Sequence, residues 1–164
     1  MRVSEKRFLE ELAERIPGVK GYREKEHRRD TDKRLRETMA SELDRARERL
    51  VSLQKGFVSA GQLDIVGQAD GVGRKLQRAA DALRYASYGY SGFFDQLKIG
   101  ENELERLYDY DHAMLANIEA VRERVEASRG SLDPDPFKDL DADVDALIAT
   151  IDLRKQLFDR PDGD

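Results

Sequence analysis

The chain holds two histidines, and a carboxylate precedes each by three residues. Glu24-Lys-Glu26-His27 supplies a Glu-x-x-His pair, and Asp109-Tyr-Asp111-His112 supplies Asp-x-x-His. On a helix, residues i and i+3 share a face, so each pair can offer one carboxylate oxygen and one imidazole nitrogen to a metal. Bundles that house two iron or manganese ions use two Glu-x-x-His pairs plus a lone Glu from each of two further helices. A ferritin-like redox site built from Glu24, His27, Asp109, Asp111 and His112, with Fe or Mn as cofactor, is therefore one reading of the sequence. It is the second choice. The second pair carries Asp in place of Glu, and the only acid near the apolar stripe of the third helix is Asp81. The preferred reading has no cofactor. It treats Glu24/Arg28, Asp30/Arg34 and Asp32/Arg36 as i,i+4 pairs on a solvated face, each worth about 0.2–0.5 kcal/mol. Asp111 stands apart, because it falls on an apolar stripe and needs a partner there, whether Arg, Tyr or metal.

Two other patterns fail as chemistry. Asp139, Asp141, Asp143 and Asp145 alternate like the start of an EF-hand loop, yet Val144 stands where the sharp turn needs Gly and Thr150 where a bidentate Glu is required. Acids in the first turns of a helix are explained by its dipole. GQADGVGRK, from Gly67 to Lys75, has neither the spacing nor the preceding strand of a phosphate loop. With no cysteine, thiol nucleophiles, thiolate metal sites and disulfides are excluded. No motif names a reaction, and an enzyme is the weaker reading.

Two stretches have the composition of contact surfaces. Lys20 to Glu37 carries eight basic residues against five acidic ones and little that is apolar. Its Arg23, Arg28, Arg29, Lys33 and Arg36 are candidates for gripping a partner. The interleaved acids make it a weak anion or RNA site, and nucleic acid is a poor partner for a chain of net charge −5. The other stretch is YASYGYSGFFD, where Tyr88, Tyr90, Phe93 and Phe94 crowd around Gly89 and Gly92. These rings read first as the filling of a helical corner, with Tyr90 at the surface, and second as a docking patch.

These residues need elements to position them, and the apolar periodicity is helical throughout. A short helix is expected at 4–16, with Phe8, Leu9, Leu12 and Ile16 on one face. A long one follows at about 22–58, where Leu35, Met39, Leu43, Ala46, Leu50, Leu53 and Phe57 step by three or four. Gly61 and Gly67 mark 60–70 as a connector, and Asp70 is placed as the cap of a helix at 71–88. Helices at 92–99, 102–128 (capped by Asn102) and 137–159 complete the chain. The predicted fold is a single all-α domain over 1–164, an antiparallel bundle of about five helices around the long amphipathic one, with a coiled-coil-like stripe. Short links imply antiparallel neighbours.

The long helix exceeds what one small domain covers, so one end is expected to project or meet another copy. Residues 1–60 carry 16 Lys/Arg against 12 Asp/Glu and the remainder 13 against 22, a polarity that suits head-to-tail contact. No window approaches a membrane span and the start lacks a signal-peptide core, so cytoplasmic residence is expected. The functional expectation is a non-enzymatic scaffold or adaptor. It would contact a protein partner or its own copies through 23–36 and 85–94, with no small-molecule substrate.

Overall fold

The computed structural model describes residues 3–16, 18, 24, 27–86, 100–129 and 135–158. They form an all-α bundle of α1 (Val3–Arg15), α2 (Arg28–Ser59), α3 (Leu63–Arg84), α4 (Glu101–Ala127) and α5 (Asp135–Phe158). The core is the set of stripes expected from spacing. Phe8, Leu12, Leu35, Met39, Leu43, Leu50, Phe57, Leu76, Leu83, Leu107, Met114, Ile118, Val121, Val125, Leu140, Val144 and Leu147 are all buried. Each such side chain contributes about 1.5–3 kcal/mol relative to exposure.

The four long helices form two antiparallel hairpins. Arg36 of α2 reaches the Leu83 carbonyl near the end of α3, and Gln54 reaches the Val66 carbonyl near its start. In the other hairpin Arg154 pairs with Asp111 and Arg124 with Asp139. The hairpins lie side by side with α2 against α4 and α3 against α5. Arg49–Glu126 and Arg122–Glu42 tie the first of these pairs, and both pairs run parallel. Helices α3 and α4 therefore sit across the bundle diagonal. The short links do give antiparallel neighbours, α2 with α3 and α4 with α5. Helix α1 packs on α4, where Phe8 meets the rings of Tyr108 at 6.1 Å and His112 at 5.2 Å.

Three boundaries differ from the sequence reading. The long helix spans 32 residues and begins at Arg28, with His27 as its N-cap and Glu24 in a bend. The connector is only Ala60 to Gln62, and α3 starts at Leu63 rather than at 71. Glycine in a helix interior costs about 0.5–1 kcal/mol relative to Ala, but burial of Ile65, Ala69 and Val72 outweighs Gly67 and Gly71. Asp70 is thus mid-helix and pairs with Arg74 instead of capping. Helix α4 begins at Glu101 with Gly100 as N-cap, so Asn102 is inside it. The expected helix at 92–99 lies outside the described residues.

The α2–α3 turn is a Schellman motif. Gln62 N–H donates to the Phe57 carbonyl at 2.9 Å and Gly61 N–H to that of Val58 at 3.0 Å. Gly61 takes φ +73°, a left-handed conformation that glycine adopts without steric penalty.

Candidate functional site

The constellation with the most charge in the least solvent lies inside the bundle. Arg154 of α5 is 1% exposed, yet its guanidinium donates from Nε to Asp111 Oδ1 of α4 and from Nη2 to Asp32 Oδ1 of α2, both at 2.6 Å. The second oxygen of Asp32 accepts from Arg36 Nε at 2.9 Å, and Arg36 Nη1 donates onward to the Leu83 carbonyl at 2.8 Å. The Arg154 guanidinium also stands 5.0 Å over the Phe158 ring. Two guanidinium cations and two carboxylates neutralise each other, and the chain of bonds runs through all four long helices. One otherwise orphaned carbonyl in the last turn of α3 is satisfied on the way. Buried ions survive only where partners replace the lost water, and here they do.

This network corrects the reading of Asp32/Arg36 as a surface pair and takes Arg28 and Arg36 out of the solvated face expected over 23–36. Arg28, Thr31, Asp32 and Arg36 are buried and continue the α2 stripe toward its N-terminus. Arg29 and Lys33 are exposed, while Arg23 lies outside the described residues. Within the stretch once read as an anion grip, Arg34 faces Asp30 and Lys33 faces Glu37. A signal was present in the sequence: Asp32, Asp111 and Arg154 each occupy a stripe position in their helix, with opposite charges. Counting only apolar residues in α2 and α5 passed over two of them.

The proposed metal ligands are not assembled. Asp111 answers its need for a partner with Arg154. His27 pairs locally with Glu24 at 3.2 Å, Asp109 is exposed, and His112 lies at the surface against Phe8. Among the described residues no group of three or more His, Asp or Glu is disposed around a common metal position. The alternating acids of α5 are likewise committed to neighbouring helices. Lys75 of α3 contacts Asp141 and Asp145 at 2.8 Å each, and Arg124 of α4 contacts Asp139 and Asp143.

Surface ion pairs stitch the helices externally and shift their groups in the expected directions. The Glu126 carboxyl is held below its usual range by the hydrogen bond from Arg49, whose own guanidinium is pushed up by the same contact. Hydrogen bonds to Asp141 and then Asp145 raise Lys75, and one to Asp44 raises Arg84.

The aromatic corner divides. Tyr88, Tyr90, Phe93 and Phe94 lie outside the described residues. At its edges Tyr85 is 72% exposed, whereas Tyr108 is buried.

Two grooves flank α3. One, of about 760 Å³, lies between α3 and the start of α5, and Arg74, Lys75, Arg78 and Lys138 are among the residues that line it. The other, of about 200 Å³, runs between α2 and α3 and is lined by Arg47, Val51, Gln54, Asp70, Gly73 and Gln77 among others. Among the described residues no helix is long and apolar enough to cross a membrane. Comparison with protein-family models, with curated proteins and with solved structures gives no match.

Proposed function

We propose that the protein is a non-enzymatic cytoplasmic interaction module that assembles through the outer face of its α2–α3 hairpin, with the same hairpin of a second copy as occupant. The observation that carries this reading is the set of exposed aliphatics on the hairpin, one of them in its groove opposite an uncrowded glycine. Val51 and Val58, two helical turns apart on α2, are 45% and 54% exposed, and Leu63 at the start of α3 is 70% exposed. Gly73 lines the same groove as Val51, and a Cβ built on it would meet nothing within 4 Å. The fold itself does not require glycine there, and its lack of a side chain leaves room for a second helix to approach closely. The apolar stripe of the long helix is covered within one copy through Leu50 and Phe57, contrary to the expectation from its length, and the exposed aliphatics are those beside it on the outer face. Arg47 and Arg74 on the groove walls stand beside Asp70. A two-fold arrangement can therefore present cation to carboxylate on both sides.

Sedimentation of the purified chain tests the reading, with a dimer expected at micromolar concentration. Val51→Asp and Leu63→Asp should yield folded monomers, since both sites are exposed, losing only the concentration-dependent stabilisation that assembly adds. Gly73→Ala should stabilise the monomer by about 0.4–1 kcal/mol while weakening the dimer. A wild-type chain that stays monomeric as its concentration rises defeats the proposal.

A further inference from the structure

The groove between α3 and α5 has a composition that the bundle does not explain. Its volume of about 760 Å³ falls within the range of small-molecule sites, about 300–1,000 Å³. On a chain of net charge −5, its lining carries Arg74, Lys75, Arg78 and Lys138 against one carboxylate, Asp141. The cations are of two kinds. Lys75 is fixed in place by Asp141 and Asp145, and Arg74 is held by Asp70. Arg78 and Lys138 make no ion pair with any described residue, and they face the groove from its two walls. Arg74 and Arg78 are one turn apart on α3, so their guanidinium groups lie on one side of that helix. Gly71 keeps the wall open between them and the start of the helix, since a Cβ there would approach only the tip of Arg74, at 3.9 Å.

We infer that this groove binds a small polyanion carrying two or more linked phosphoryl groups. A guanidinium fork matches the oxygens of a phosphoryl group bidentately, and a lysine adds a mobile point charge. Two cations on opposite walls, neither in an ion pair with a described residue, can each take a separate anionic group. Lys75, already neutralised by two carboxylates, sets the boundary of the site. The proposal does not rest on hairpin assembly: Arg78 and Lys138 line this groove and not the α2–α3 one, while Arg74 borders both.

Titration calorimetry of the full chain with inorganic pyrophosphate and tripolyphosphate tests it, run beside an oligoglutamate peptide of comparable charge. The expected result is saturable tripolyphosphate binding that weakens at least tenfold in the double variant Arg78→Glu, Lys138→Glu. Binding should be preserved in Arg45→Glu, Arg106→Glu, which makes the same charge change at exposed positions elsewhere. Gly71→Leu, which fills the open wall without changing charge, should also weaken binding. Circular dichroism melts confirm that each variant is folded. No saturable binding of either phosphate overturns the inference. So does equal loss in both double variants, or preference for oligoglutamate.

Discussion

Replacing Arg154 with methionine isolates what the buried network does. Methionine keeps the apolar stem but ends short of the guanidinium, so both 2.6 Å bonds, to Asp111 and to Asp32, are lost and a small void is left. Asp32 retains its bond from Arg36, but Asp111, with no exposure to solvent, loses its guanidinium partner in the bundle interior. Breaking a buried pair by removing one partner costs about 3–5 kcal/mol, because the remaining charge is left uncompensated. That is a large part of the total stability of a domain, about 5–15 kcal/mol. For a chain of 164 residues each kcal/mol moves the melting temperature by about 2–4 °C, so a fall of roughly 6–20 °C is expected. Urea denaturation followed by circular dichroism gives the free energy directly. Adding Asp111→Leu to Arg154→Met should recover part of the loss, since the buried carboxylate that has lost its guanidinium is then gone. If Arg154→Met costs no more than about 1 kcal/mol, or if Asp111→Leu deepens the defect additively, the charges are not coupled in a dry interior and the reasoning fails.

Arg36→Met removes the Asp32 contact and the donor to the Leu83 carbonyl together; a loss of about 2–4 kcal/mol is expected, and hydrogen exchange should quicken in the last turn of α3 ahead of the rest. Gly61→Ala forces a side chain into φ +73° and should cost about 1–2 kcal/mol, read as a lowered urea midpoint; an unchanged midpoint contradicts the Schellman geometry. The Arg49–Glu126 pair predicts a pH dependence. Because the folded-state pKa of Glu126 lies below its ordinary value of 4.5, the pair's contribution is complete above that value and is lost as pH falls through the folded one. Glu126→Gln should therefore flatten the stability profile measured from about pH 6 down to about pH 3, and a slope identical to wild type rules out the linkage.

Most of the fold was legible in the sequence because helical burial is a periodic, local signal. Leu107, Met114, Ile118, Val121 and Val125 of α4 are buried where their spacing put them. The ends were harder to read. Gly67 and Asp70 look like a linker and a cap, yet they lie inside α3, because burial of Ile65, Ala69 and Val72 overrides local propensity. Among the described residues the two histidines are not gathered into one ligand group, for a related reason. Spacing shows which residues share a helix face but not what the opposing helix supplies.

The sequence by itself determined that the chain is all-α, which faces of its helices are apolar, and that Asp111 on such a face needs a partner. Only the tertiary structure decided that the partner is Arg154, that Asp32 and Arg36 belong to the same network, and that α3 and α4 sit diagonally. It also gathered Arg78 and Lys138 from two helices onto one groove and left Val51, Val58 and Leu63 uncovered. The physical reason is that a charge is a solvated surface group or a buried one according to what lies across from it. Residues as far apart as Asp32 and Arg154 become partners only once the two hairpins dock.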